Sequence, residues 1–150
     1  MQQVDHKRVN DEQPNNKFRK NLGIAAINMV TPTVKMLLCT SASNAGSVTI
    51  STRGSLTNEV AAGSGYATSG QVCTTHTYTA GASAGSMRFN VNAKQWKASG
   101  GNIANIKFAV LFISGGKLIC SSQLSTAQFT LTSGNTLTIT PAATGVFNLT

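Results

Sequence analysis

The chain has 150 residues, room for one domain with one core and a tail. Charged residues make up 11% of it, well below the roughly 25% of ordinary soluble domains, and their place is taken by 19 Thr, 15 Ser and 14 Gly. Thr suits half-buried pleated surface and Gly with Ser suits tight turns, so the composition points to short strands on a surface that other subunits cover, as well as to an adhesive or secreted β-domain. The apolar runs fall far short of a membrane span and the polar, charged start does not read as a signal peptide, so the expectation is a chain made in the cytoplasm with no membrane partner.

The net charge of +8 is divided unevenly. Residues 1–21 set Lys7, Arg8, Lys17, Arg19 and Lys20 against Asp5, Asp11 and Glu12. The rest sets Lys35, Arg53, Arg88, Lys94, Lys97, Lys107 and Lys117 against Glu59 alone. These body cations are scattered, without the interleaved aromatics of a single-strand groove, so nucleic acid is not the partner expected. A positive field of this kind draws the protein toward acidic protein surface.

In chain order, residues 1–20 are too poor in large aliphatic side chains to form a core and read as an arm. Asn21–Val30 is apolar and is broken by Pro32; it reads as a short helix or an extended strap. Residues 1–32 are thus an N-terminal arm and strap, and residues 33–150 a single all-β domain, a sandwich or barrel. Lys7, Arg8, Lys17, Arg19 and Lys20 are expected to pair with acidic groups on a neighbouring subunit, with Leu22, Ile24 and Ile27 burying against it.

From Thr33 the period is two. Val34, Met36 and Leu38 alternate and end at the turn-like 41–47; Val48 and Ile50 alternate within Ser47–Thr52; Val72–Thr79 is rich in β-formers and is followed by a Gly-rich turn. Phe89 and Val91 alternate with polar neighbours, while Ile106–Ile113 is apolar on both faces and suits a covered central strand. Ser114-Gly115-Gly116 folds it onto Lys117–Ser121, and Ser133-Gly134-Asn135 makes a second hairpin of Phe129–Thr132 and Thr136–Thr140. Phe89, Val91, Phe108, Val110, Phe112, Leu137 and Ile139 are the expected inward residues.

No catalytic apparatus is legible. Asp5, Asp11, Glu12 and His6 lie on the arm, so the body offers Glu59 and His76 alone, which cannot supply a carboxylate pair. His76 stands in a Thr-rich alternating strand and reads as a surface residue. Cys39, Cys73 and Cys120 form no CxxC and have no ligand spacing with His76, so neither metal nor cofactor is expected. They read as reduced, buried thiols, with a disulfide formed late in an assembled particle as the alternative. Gly63 and Gly65 lack the third glycine of a dinucleotide loop and read as turns, and the Asn148-Leu149-Thr150 sequon reads as chance.

From Leu56 to Gln71 (LTNEVAAGSGYATSGQ) and onward the order of phrases is distinctive. Arg88-Phe89 leads to Trp96, a small-residue turn leads to the aliphatic run 106–112, and the chain closes on Pro141-Ala142-Ala143-Thr144-Gly145-Val146-Phe147. In this order the sequence resembles small β-sandwich structural proteins of tailed-phage virions over about residues 33–150. The resemblance implies a non-enzymatic, self-associating virion subunit. Head decoration, on the major capsid protein outside the shell, is the expected role, with a tail or neck component as the alternative and a sugar- or surface-binding module behind both. The chain departs from the family pattern in its scarcity of acids, which leaves no acidic cation site to carry over, and in its basic arm, which implies docking on a particular virion subunit. Within these phrases Leu56 and Val60 are spaced for one helical turn on the sheet. Gly65 is placed to drop Tyr66 onto the core edge, and Trp96 to cap a sandwich end with its indole N–H on a backbone carbonyl.

Overall fold

A computed structural model describes residues 28–149. The arm-docking set Lys7, Arg8, Lys17, Arg19, Lys20, Leu22, Ile24 and Ile27 lies outside the described residues. Ten strands follow in order: β1 (Val34–Thr40), β2 (Gln71–Cys73), β3 (His76–Ala80), β4 (Met87–Val91), β5 (Lys94–Lys97), β6 (Ile103–Ile113), β7 (Leu118–Gln123), β8 (Phe129–Leu131), β9 (Thr136–Ile139) and β10 (Phe147–Leu149). The helical content among the described residues is two single 3-10 turns, Asn44–Gly46 and Arg53–Ser55. The domain is all-β, and its main sheet curls into a half-barrel.

The centre of that sheet is the antiparallel pair β1–β6, joined from Val34↔Ile113 to Thr40↔Ile106. Each outer edge of the pair is filled by two short segments in tandem. Along β1, β2 covers Val34–Met36, and beyond it Asn58–Val60 takes over through Thr40 N to Asn58 O and Val60 N to Leu38 O, both 3.0 Å. Along β6, β7 covers Phe108–Phe112 and β8 pairs at Ile103 and Ile106. Two smaller sheets, β10-β4-β3 and β5-β9, complete the enclosure. All three sheets feed one main core: Val34, Met36 and Leu38 from β1, Phe89 and Val91 from β4, Trp96 from β5, Leu137 and Ile139 from β9 and Phe147 from β10.

β1 and β6 are apolar on their second face as well, because a separate core lies there. Leu37, Cys39, Phe108, Val110, Phe112 and Leu118 meet Ala45, Ile50 and Leu56 of the connection between β1 and β2. A bulge directs this division. Cys39 pairs with Phe108 but Thr40 with Ile106, so Lys107 is the extra residue and the alternation changes phase there. Ile106 points into the main core, and Phe108, Val110 and Phe112 point away from it. The expected inward set therefore splits: all seven residues are buried, but Phe108, Val110 and Phe112 serve the second core.

Other expectations are corrected by the pairing. Ser47–Thr52 is an irregular cover in which Ile50 is buried and Val48 exposed; Thr52 alone bridges to Lys117. Val72–Thr79 is two strands, since the chain leaves the main sheet after Cys73 and joins β4 in the small sheet from His76. The β6–β7 hairpin forms as its turn predicts. β8 and β9 do not pair with each other: their turn closes through Asn135 N to Thr132 O at 3.0 Å, but β8 joins β6 and β9 joins β5. Trp96, opposite Leu137, makes β5 an inward strand of the core. Leu56 and Val60 occupy no helical turn; they enter the second and the main core respectively. The domain also starts before Thr33, because Met29 is 3% exposed within the main core. Asn28 Oδ1 accepts from Val30 N at 2.8 Å to form the turn that leads in.

Candidate functional site

Glu59 is the one carboxylate among the described residues, and the fold consumes it. It follows Asn58, whose left-handed backbone (φ 52) turns the chain onto the edge of β1. Its Oε1 accepts from the Tyr66 hydroxyl at 2.9 Å and from the Ser69 N–H at 2.7 Å. Its Oε2 accepts from the Arg53 guanidinium in an ion pair. The Tyr66 hydroxyl in turn accepts from Leu38 N at 3.0 Å, on the main chain of β1. Burial, offset in part by the Leu38 bond and reinforced by the negative charge of Glu59, pushes the Tyr66 phenol far above its usual range. It stays a neutral donor.

This cluster fastens irregular chain to the sheet. Arg53 belongs to the segment over the second core, Tyr66 plugs the main core at 3% exposure, and Ser69 precedes β2. Gly65 is needed for the approach: its φ is +91°, and a Cβ there would run into the Lys97 carbonyl oxygen. The same cover is tied to itself where Ser43 Oγ donates to Thr57 O at 2.6 Å and Asn44 Oδ1 accepts from Thr57 N at 2.9 Å. Arg53 and Ser69, the partners of Glu59, were not legible as such. The available signal was a lone carboxylate six residues after an arginine in turn-rich chain.

His76 is remote in kind from that cluster. Its ring lies 6.4 Å from that of Phe89, on the small sheet, and it shares no hydrogen-bond partner with Glu59. It is half-buried beside the core, a correction to the surface reading. Among the described residues, three of the four buried side-chain atoms with no hydrogen-bond partner belong to β3 and β4: His76 Nε2, Arg88 Nε and Asn90 Oδ1. The fourth is Trp96 Nε1. The indole N–H therefore reaches no carbonyl, because β5 carries the ring at 1% exposure into an apolar core and not to a sandwich end.

Cys39 lies in the second core and Cys73 and Cys120 in the main one, all three buried and not joined to one another in a disulfide. Burial raises Cys39 to about 11; the Ser43 bond and Arg53 pull it down while Glu59 adds to the rise. Burial likewise raises Cys73 to about 11 against the pull of Lys94. Neither is a thiolate at neutral pH, so neither is a ready nucleophile. Among the described residues no group of three His, Cys, Asp or Glu side chains is placed to hold a metal. No protein-family model, curated protein or solved structure matches the chain.

Proposed function

We propose that the protein is a structural subunit of a tailed-phage virion, a decoration or cement subunit that binds the outside of the head and stabilises the shell. The observation that carries this reading is the fate of Glu59. With its one carboxylate spent on bracing the domain, the body offers cations and a Thr-, Ser- and Asn-rich surface, with no acid free for catalysis. Such a surface binds by shape, hydrogen bonds and positive field, which suits docking on an acidic protein lattice. The order of phrases from Leu56 to Phe147 supplies the virion context. The arm residues Lys7, Arg8, Lys17, Arg19 and Lys20, followed by Leu22, Ile24 and Ile27, add a charged and an apolar foothold on the neighbouring subunit.

A density map of purified particles tests this directly. The expected result is the domain repeated over the capsid exterior with the symmetry of the shell. Density confined to the tail axis moves the protein to the neck or tail, and particles that lack the chain altogether refute a virion role.

A further inference from the structure

The main sheet leaves little open edge. β7 is closed at its start by the segment Ser51–Arg53, with Leu118 N to Ser51 O at 3.0 Å and Arg53 N to Gly116 O at 2.6 Å. β2 has three residues and is tied sideways by Gln71 Nε2 to Gln95 O at 2.7 Å. β3 differs. It is the end strand of β10-β4-β3, five residues long, and carries no Lys, Pro or bulge of the kind that blunts exposed edges.

Its hydrogen-bond phase is fixed by its neighbours. Asn92 N donates to Thr75 O at 2.9 Å and Gly81 N to Ser86 O at 2.8 Å, so the odd-numbered residues of this stretch bond to β4. The N–H and C=O groups of His76, Tyr78 and Ala80 then face outward, and among the described residues no backbone bond reaches them.

We infer that this edge is a self-pairing surface: β3 of a second copy docks on it, antiparallel, about a two-fold axis at Tyr78. The strand is self-complementary in that register. Tyr78 pairs with its twin, His76 with Ala80 of the other copy, and every outward main-chain group finds a partner. Thr77 and Thr79, both exposed, then stand opposite one another in the closely spaced pairs, where threonines match well. What singles out this occupant is that register, in which the same five residues satisfy each other without an unpaired main-chain group or a mismatched side chain, and β3 brings no Lys or Arg to the joint. Arg88, on β4 opposite Thr79, is the cation of the adjoining strand. Three interstrand spacings, about 14 Å, separate the two Arg88 strands, beyond the screening length of about 8 Å at physiological salt. The joined sheet runs β10-β4-β3-β3-β4-β10, an isologous contact that closes on itself.

The inference rests on the self-associating reading above for its purpose, but the two fail separately, since the particle map does not depend on this edge. The test is sedimentation equilibrium of the full chain up to about 0.5 mM, which registers dissociation constants up to roughly the millimolar range. Wild-type protein is expected at twice its 15.6 kDa chain mass. T77K/T79K sets lysines opposite lysines and is expected to associate at least about tenfold more weakly. T77K/T79E sets Lys opposite Glu and is expected to restore association. Ala80→Pro, which removes an outward N–H and no bond to β4, is expected to match T77K/T79K. Unchanged melting of each variant shows that the domain still folds. Wild type at the single-chain mass overturns the inference, and so does T77K/T79K that associates like wild type. Equal loss in T77K/T79K and T77K/T79E also overturns it, because the occupant is then not a second β3.

Discussion

Tyr66 and Glu59 hold two pieces of irregular chain against β1, and their hydrogen bonds give the residue scale its sharpest predictions. Tyr66→Phe leaves Leu38 N–H without its acceptor in a buried place, with an expected loss of about 1–3 kcal/mol. Glu59→Gln removes the ion pair with Arg53 while one oxygen remains to accept from Tyr66 or Ser69, and is expected to cost about 1–2 kcal/mol, because Arg53 is partly exposed. Chemical denaturation of the two variants and their double mutant checks both: strongly non-additive losses are expected, since the bonds share one carboxylate. The buried thiols predict the alkaline limb of stability. An unfolded thiol ionises near 9.0 whereas Cys39 and Cys73 do so at about 11 in the fold, so the unfolded state releases its protons first. Stability from this source is intact below pH 9 and falls as pH rises from about 9 to about 11. Melting temperatures across that range should decline less steeply in a Cys39→Ala/Cys73→Ala double variant than in wild type.

At the level of elements, the second core makes the cover between β1 and β2 depend on β6. Phe112→Ala is expected to cost about 3–5 kcal/mol, and its effect should spread to Ala45, Ile50 and Leu56, which pack on the same face. Hydrogen exchange of Asn44–Leu56 should accelerate in that variant while the amides of β9 keep their protection. This layering explains how much was legible. Period two marked β1, β4, β6 and the β6–β7 hairpin, because strict alternation or a doubly apolar run has one reading. It misled at Ser47–Thr52, where Val48 and Ile50 alternate like a strand but the chain lies as a cover over the second core and meets the sheet only where Thr52 bridges to Lys117. It also could not foresee that Thr74-Thr75 carries the chain from one sheet to another, or that β8 and β9 separate after a well-formed turn. Partner choice is decided by edges far away in sequence, and Lys107 reverses the inward set by one inserted residue. Of the site, Gly65 stood out as a turn and Tyr66 as a ring for the core edge, whereas Arg53 and Ser69 gained their role only through φ values and pairings that the sequence does not print.

For the whole molecule, the boundary between arm and domain is the feature that can be cut. Deleting residues 1–20 leaves every described residue of both cores in place, and the melting temperature of the domain is expected to stay unchanged. On the proposed docking role, retention on particles should fall at every salt concentration. In the full chain, retention should weaken as salt rises, through the lost pairing of Lys7, Arg8, Lys17, Arg19 and Lys20. Co-sedimentation with particles stripped of the protein measures both. A truncated chain that is retained as tightly as the full one removes the docking role from the arm.

The strand that the N-terminal segment enters is β1, which lies between β6 on one side and β2 with Asn58–Val60 on the other. Tension applied through the N-terminal segment therefore runs along the axis of a strand fastened on both sides. Rungs loaded along their strand resist together, in shear, whereas rungs at a peeled edge give way one after another. A tether joined to this domain at its N-terminus pulls on a strand held along both of its edges.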